Sequence, residues 1–117
     1  MRIQSFRDLE AWQLGMGFAE RVYQLTQAFP PEERYGLTAQ LHRAAIAVPS
    51  NISEGHQQGS RAYLHYVVMA IGSLAEADTQ LELAVRLKMA AGADVLPVIE
   101  FARRLRQVLH GLRRSLR

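Results

Sequence analysis

The chain has no cysteine and no long apolar run, and these two absences exclude several classes of protein. Without cysteine there is no disulfide, no thiolate metal site and no cysteine nucleophile. The longest uncharged apolar run, residues 62–75, has 14 residues and is too short to span a bilayer. No apolar segment typical of a secretory signal follows the first residues, so we expect a cytoplasmic protein.

Lysine is nearly absent, and acidic residues are missing from the C-terminal segment. Thirteen of the 14 basic residues are arginine. Residues 101–117 contain six arginines and no acid, whereas residues 1–100 hold eight basic against 11 acidic side chains, a net charge of −3. This asymmetry indicates a polyanion, a membrane surface or an acidic protein as partner. Stabilisation of a helix C-terminus by basic side chains is the alternative explanation.

Strand-like alternation is also missing, and apolar residues recur instead at spacings of three and four. The pattern predicts helices over residues 5–28, 32–57 and 60–91, and from Asp94 to the end. A length of 117 residues with 49% apolar content fits one domain, residues 1–117. Short connections between the helices predict an all-α protein, an antiparallel up-down four-helix bundle.

The helix boundaries rest on capping and turn residues. Ser5 and Asp8 form a capping-box pattern at the start of the first helix. Gly- and Gln-rich residues 55–60 predict a loop. The other predicted caps are Ser60 before the third helix, Gly92 after its end, and Asp94 before the fourth.

Each predicted helix carries a row of apolar residues at spacings of three and four, called its seam below, and the four seams form the predicted core. Pro49 falls inside the second segment, but the apolar spacing is the same before and after it. We therefore predict one continuous helix, kinked at Pro49. In the first helix a second apolar row, Phe18, Val22, Leu25 and Phe29, lies beside the seam. The seam residues are Leu9, Trp12, Met16, Ala19 and Tyr23 in the first helix, Leu37, Leu41, Ala45, Val48 and Ile52 in the second, Leu64, Val67, Ile71, Leu74, Asp78, Leu81 and Val85 in the third, and Val95, Val98, Ala102, Leu105, Leu109, Leu112 and Leu116 in the fourth.

The third helix is apolar around its whole circumference over residues 62–75. A helix in a four-helix bundle has an outward face, so this surplus predicts a contact with another copy of the chain. The alternative is that tyrosines lie at the rim of the core and alanine is tolerated outside. The predicted interface residues are Tyr63, Tyr66 and Met69.

The central part of the chain resembles a known family. Phe29-Pro30, Glu33-Arg34-Tyr35-Gly36-Leu37-Thr38, Gln40-Leu41, Arg43-Ala44-Ala45, Val48-Pro49-Ser50-Asn51-Ile52 and Glu54-Gly55 resemble the signature of the four-helix-bundle family named for the 23S ribosomal RNA intervening-sequence protein. Departures are Ala47 and Ser53, where the family commonly has Ser and Ala. Further matches are Asp8-Leu9, Ala11-Trp12, Ala70, Gly72-Ser73, Glu76 and Gln80-Leu81.

This resemblance implies a cytoplasmic bacterial protein that forms homopentamers around a central channel. A related branch of the family serves as the accessory protein of diversity-generating retroelements. The implied partners are therefore a second copy of the chain, RNA or DNA, and a reverse transcriptase or another protein. The resemblance implies no catalytic residue and no cofactor.

The basic residues of the fourth helix fall on one stripe, roughly 80° wide on a helical wheel. Such a stripe is typical of contacts to phosphates that do not depend on base sequence. The alternative is that the stripe pairs with Glu76, Asp78 or Glu82 of a neighbouring subunit. The stripe consists of Arg103, Arg106, His110, Arg113 and Arg117.

Polar residues of the central motif need a separate explanation. On one interpretation they bind a small molecule or nucleic acid, or act in an enzyme. On the other they are structural: Asn51 covers backbone groups near Ala45, whose carbonyl Pro49 frees, while Arg43 and Glu54 find partners on other helices. The motif residues are Gln40, Arg43, Pro49, Asn51, Glu54 and Gly55.

Candidate catalytic chemistry is sparse. The sequence has neither a recognisable nucleophile–base pattern nor a Glu-x-x-His metal motif, so we predict no enzyme, metal site or cofactor. Asp78 and Glu82 lie one helical turn apart and are the remaining candidate for a hard cation, with a solvated helix face as the alternative. A membrane-surface role is disfavoured because the basic stripe lacks aromatic anchors.

Overall fold

Four helices pack into an up-down bundle in the computed structural model, which describes residues 3–117. Each helix packs on the next, and the fourth packs on the first, which closes the predicted four-helix bundle. Met1 and Arg2, which belong to the segment expected to contain no secretory signal, lie outside the described residues. No helix within residues 3–117 is long and apolar enough to cross a membrane. The helices are α1 (Glu10–Thr26), α2 (Leu37–Gln58), α3 (Ser60–Arg86) and α4 (Gly92–Ser115), with 3-10 turns at Phe6–Asp8 and Pro31–Glu33.

The predicted capping box forms, but it caps the N-terminus of the 3-10 turn Phe6–Asp8 and not that of α1. Arg7 N donates to Ser5 Oγ at 3.0 Å, and Ser5 N donates to Asp8 Oδ2 at 3.2 Å. Leu9 then adopts an extended conformation, with ψ of 130°, and breaks the helical path. Helix α1 therefore begins at Glu10, and the predicted start at Ser5 was wrong.

The core face of α1 is the second apolar row, with Phe18 and Val22 fully buried. The predicted seam lies at the edge, where Met16 is 41% and Tyr23 43% exposed. Both rows have helical spacing, and spacing alone does not decide which of two apolar rows faces the bundle. The predicted seam consequently forms an apolar surface beside α2.

Helix α2 runs without interruption through Pro49, as predicted. It also continues through Gly55 to Gln58, so the predicted loop over residues 55–60 was wrong. Only Gly59, with φ of 98°, separates α2 from α3, and Ser60 is the first residue of α3 and not its cap. A positive φ is accessible to glycine at low cost, which places the break at Gly59.

Helix α3 ends at Arg86, before the predicted end at residue 91. Lys88 takes a left-handed conformation with φ of 61°. Met89 N donates to the Ala84 carbonyl at 2.9 Å and Lys88 N to the Val85 carbonyl at 3.0 Å, a Schellman motif built on lysine. The predicted caps Gly92 and Asp94 therefore lie inside the first turn of α4.

The predicted seams of α2 and α4 supply much of the core. Leu41, Ala45, Val48 and Ile52 are fully buried, whereas Leu37 is half-buried. On α4 the seam is buried from Val95 to Leu109, but Leu112 and Leu116 lie at the edge. In α3 the prediction is half right, because Leu64, Ile71, Asp78 and Val85 lie at the edge of the core. The buried row of α3 is Tyr63, Val67, Ala70, Leu74, Ala77, Leu81 and Ala84.

Candidate functional site

The predicted basic stripe lies on α4 beside the buried seam. Arg103 and Arg117 are exposed, whereas Arg106, His110 and Arg113 are half-buried. The side chains border the core without entering it, because they occupy helix positions next to fully buried Ala102, Leu105 and Leu109. The stripe is thus accessible to a ligand along part of its length.

Arg106 differs from the rest of the stripe because it forms an ion pair with Asp78 of α3. The Asp78 side chain is only 19% exposed, and its second oxygen, Oδ1, is buried without a hydrogen-bond partner. The sequence had suggested Asp78 as an acid reached from a neighbouring subunit, but the pair forms inside one chain. The positive charge of Arg106 is therefore compensated before any ligand binds.

Arg104, outside the stripe, also has an acidic partner. Its Nη2 lies 3.8 Å from Glu10 Oε2 of α1, and both side chains are largely exposed. Exposed pairs of this kind contribute little to stability. Within residues 3–117 the arginines of α4 that lack an ion pair are Arg103, Arg113 and Arg114, together with Arg117 just after the helix.

The polar motif of α2 does not converge on one site. Asn51 Nδ2 donates to the Ala47 carbonyl at 2.8 Å, not to the Ala45 carbonyl freed by Pro49. Arg43 and Glu54 are exposed and about 16 Å apart along the helix axis. Neither forms the expected ion pair within residues 3–117; Arg43 Nη1 donates only a long bond, 3.4 Å, to Gln40 Oε1.

Two residues of this motif instead allow close helix packing. A Cβ added at Gly15 of α1 would lie 3.3 Å from Pro49 Cβ, so Pro49 packs directly on the glycine. A Cβ added at Gly55 would lie 2.6 Å from the Cβ of Tyr66, so α2 and α3 pack at this position with no room for a side chain. These contacts favour the structural interpretation of Pro49 and Gly55.

Glu33 caps α2 from outside the helix, whereas the sequence analysis placed it inside a helix predicted to begin at residue 32. Its Oε1 accepts a hydrogen bond from Leu37 N, the first backbone donor of the helix, at 3.0 Å. A Cβ at Gly36 would lie 2.6 Å from that oxygen, so the glycine gives the carboxylate room. The available signal was an acidic side chain before an apolar helical run, as is typical of helix N-termini.

A second unpredicted cluster joins α1 to α2. Thr26 Oγ1 lies 2.7 Å from His42 Nε2, and the His42 ring stacks on Tyr23 with centroids 3.7 Å apart. The pair has the composition of a nucleophile and its base. Thr26, however, is buried, and its hydroxyl donates to the Tyr23 carbonyl at 3.1 Å. We therefore assign the Nε2–H tautomer to His42, which donates a hydrogen bond to Thr26 Oγ1. Burial lowers the pKa of His42.

The predicted interface residues of α3 fall in different surroundings. Tyr63 is only 8% exposed and packs edge-on against His56, so it belongs to the core and has little surface left for a second copy. Tyr66 is half-buried and accepts a bond from Gln58 Nε2 at 3.3 Å. Met69 is 43% exposed and lies next to Val68, which is 42% exposed and was not among the predicted interface residues.

The described residues bring no three His, Asp or Glu side chains together around a possible metal position. Of the carboxylate pair considered for a cation, Asp78 binds Arg106 and Glu82 is exposed. The Arg106 guanidinium therefore already occupies one of the two carboxylates that a cation would need.

Comparison with known proteins agrees with the motif. Residues 7–111 match the sequence profile described as 23S rRNA-intervening sequence protein. The chain belongs to this family. No curated protein matches the chain.

The fold of this intervening-sequence family protein is also similar to that of a solved structure, a protein of unknown function from the S23 ribosomal protein family of Bacteroides thetaiotaomicron. The two share 18% sequence identity with a TM-score of 0.80, over 88% of this chain and 97% of the other. At this identity the likeness shows the four-helix fold and does not extend to activity.

Proposed function

We propose that this family member is a non-enzymatic, cytoplasmic homo-oligomer, a pentamer as the family resemblance implies, that binds RNA or DNA through the basic stripe of α4. It would serve as an adaptor for a partner that acts on nucleic acid, such as a reverse transcriptase. The observation that carries the proposal is the concentration of uncompensated arginine at the end of α4.

The charge at the end of α4 exceeds what a helix terminus requires. A helix C-terminus carries about half a negative charge, whereas Arg113, Arg114 and Arg117 stand there without an ion pair within residues 3–117. Arg103 adds a further exposed charge along the stripe. In an oligomer this charge is repeated in every copy, which favours a polyanionic partner.

Binding through phosphates fits the side chains better than base recognition. Single-strand readout usually needs aromatic side chains that stack on bases. Phe101 is the only Phe, Tyr or Trp of α4, and the guanidinium of Arg21 covers its ring. The expected contacts are therefore largely independent of base sequence and sensitive to salt.

The alternative function, an enzyme or small-molecule site at Gln40, Arg43, Asn51 and Glu54, is not favoured, because these four residues do not line a common groove. Asn51 is engaged by its own helix, and Arg43 and Glu54 lie too far apart to act on one small molecule.

A titration with RNA and DNA oligonucleotides at several salt concentrations tests the proposal. The double variant Arg113→Gln/Arg117→Gln should bind all sequences more weakly, and the salt slope should fall by about 0.9 per lost phosphate contact on duplex DNA. The matched control is Arg34→Gln/Arg86→Gln, which removes two exposed charges from the opposite end of the bundle. Equal binding by both double variants, or no binding by the wild type, would contradict the proposal.

A further inference from the structure

A groove between α1 and α2 consists of two adjoining cavities. One has a volume of about 400 Å³ and is mostly apolar, with Trp12 and Met16 in its lining. The other has a volume of about 470 Å³, and apart from Phe6 every residue that lines it, Glu54 among them, is polar. Phe6 and Ser50 line both cavities. Phe6 therefore lies at the boundary between the apolar and the polar half of the groove.

The N-terminal turn Phe6–Asp8 places an aromatic ring of this chain in the groove. The Phe6 ring packs edge-on against Trp12, with the ring centroids 5.4 Å apart. The Arg7 guanidinium carbon lies 4.5 Å from the Phe6 centroid, so Arg7 covers the ring within the same turn. The middle of the groove thus accepts an aromatic side chain, while the cavities on either side of it are left open.

The N-terminal turn is weakly attached to the bundle. None of its three residues is buried, and Leu9, in an extended conformation, separates it from α1. Its side-chain hydrogen bonds lie within residues 4–8, except for an exposed bond that Gln13 Nε2 donates to the Arg7 carbonyl at 2.9 Å. Segments with little buried surface and exposed hydrogen bonds open at a low cost in free energy. The turn can therefore leave the groove while α1 stays intact.

We propose that the groove binds a short segment of a partner protein, and that Phe6 occupies the middle of this site when no partner is bound. A longer segment that carries an aromatic residue takes the position of Phe6 on Trp12 and also fills the two open cavities. It then buries more apolar surface than the turn does, which favours the exchange. This site does not depend on the proposed binding of nucleic acid or on the proposed oligomer.

The lining of the groove specifies the chemistry of the segment. Once the turn has left, Glu54 is the one charged residue in the lining of the two cavities. It forms no ion pair within residues 3–117, so the polar half favours a basic side chain. Trp12, Met16 and Ile46 favour an apolar side chain in the other half. In an extended segment, alternate side chains point to the same face about 7 Å apart. The expected pattern is therefore an aromatic residue with an apolar residue two positions away on one side and a basic residue two positions away on the other.

Fluorescence of Trp12, the single tryptophan of the chain, reports directly on this site. The probe is the acetylated and amidated peptide Leu-Ser-Phe-Ser-Arg, titrated into the full chain. Phe6→Ala should increase quenching of Trp12 by acrylamide, and the peptide should reverse the increase in a saturable way. The Kd of the peptide should be about 10-fold lower for Phe6→Ala than for the wild type, in which the site is mostly closed by Phe6. Tyr35→Ala, which removes an exposed aromatic ring outside the groove, is the control and should behave like the wild type.

Two further titrations test the chemistry of the segment. A peptide with alanine in place of phenylalanine should bind Phe6→Ala about 10-fold more weakly, because burial of the ring on Trp12 is lost. Adding Glu54→Gln to Phe6→Ala should raise the Kd of the original peptide about 2- to 5-fold and reduce its salt dependence. Glu100→Gln, at an exposed position of α4 outside the groove, is the matched control and should leave the Kd unchanged. Circular dichroism checks the fold of each variant, and Phe6→Leu replaces Phe6→Ala if the latter unfolds.

Four outcomes would overturn the proposal. The first is no saturable change of Trp12 fluorescence in folded Phe6→Ala. The second is an equal Kd for the wild type and Phe6→Ala, which means that Phe6 does not occupy the site. The third is equal binding of the alanine peptide, and the fourth is a difference in mass by light scattering between Phe6→Ala and the wild type, which assigns the groove to another copy of the chain. An unchanged Kd in Glu54→Gln would overturn the assignment of the basic residue.

Discussion

The guanidinium carbon of Arg21 lies 4.0 Å from the ring centroid of Phe101 and joins α1 to α4, the first and last helices of the bundle. Arg21 Nη1 also donates to the Gly17 carbonyl at 3.1 Å. A Cβ at Gly17 would lie 3.2 Å from Phe101 Cζ, so the glycine lets the ring and the guanidinium pack against α1. This contact closes the bundle between helices that are not adjacent in sequence.

We expect Phe101→Leu to destabilise the fold by about 0.5–1 kcal/mol beyond its lost apolar area, because the cation–π contact is removed. Arg21→Met should destabilise the wild type but have less effect in the Phe101→Leu background. Urea unfolding of the two single variants and the double variant measures the coupling free energy. Simple additivity of the two effects would mean that the stacking contributes nothing to stability.

The close approach of α2 and α3 at Gly55 gives a second prediction. Gly55→Ala places a Cβ 2.6 Å from Tyr66 Cβ and 3.3 Å from Tyr63 Cα. Because backbone must then shift, we expect a loss of about 1–3 kcal/mol in the free energy of unfolding. Gly111→Ala in α4 is the control: its Cβ meets only Arg114 Nη2, at 3.8 Å. That variant should gain about 0.5–1 kcal/mol from helix propensity.

These packing contacts explain what sequence patterns predicted and what they did not. The seam residues of α2 from Leu41 to Ile52 were assigned correctly, because Ile46 is the one large aliphatic residue in that stretch outside the row. In α1 the outward row of Met16 and Tyr23 has the same spacing as the buried row, and only contact with other helices decides between them. Gly55 looked like a turn residue since its packing role depends on Tyr66 of α3, which spacing along one helix does not show.

For the candidate site, too, the sequence predicted the position of a residue along its helix but not its contacts with other helices. Position on α4 follows from helical periodicity, so Arg103 was placed on an exposed face beside the buried seam, whereas Arg117 lies after the end of the helix and periodicity does not place it. The engagement of Arg106 by Asp78 depends on how α3 and α4 face each other. Thr26 and His42 likewise meet across two helices, and no local motif marks either residue.

Stability should depend on pH through His42. Burial lowers its pKa below the ordinary value of 6.5, so the unfolded chain binds a proton more readily than the folded one. The free energy of unfolding should therefore be constant above about pH 6.5 with respect to this group and decrease as the pH falls from there to the folded-state pKa. Urea unfolding between pH 5 and 8 measures the decrease.

The control for the pH dependence is a pair of histidine variants. His42→Gln should remove most of the decrease below about pH 6.5, whereas His65→Gln, at an exposed position, should leave it in place. If His42→Gln keeps the full pH dependence, a different group is responsible for it.

The ion pair with Asp78 predicts that Arg106 stabilises the fold, unlike the arginines of α4 that are proposed to bind phosphates. Arg106→Gln leaves the mostly buried Asp78 carboxylate without its partner, so we expect a loss of about 1–3 kcal/mol in the free energy of unfolding. Arg104→Gln, which breaks an exposed pair with Glu10, should cost less than about 1 kcal/mol. Adding Asp78→Asn to Arg106→Gln should recover much of the loss, because no buried charge then remains unpaired. If Arg106→Gln instead unfolds like the wild type and weakens nucleic-acid binding as strongly as Arg113→Gln, then Arg106 acts through phosphates and its pairing with Asp78 is dispensable.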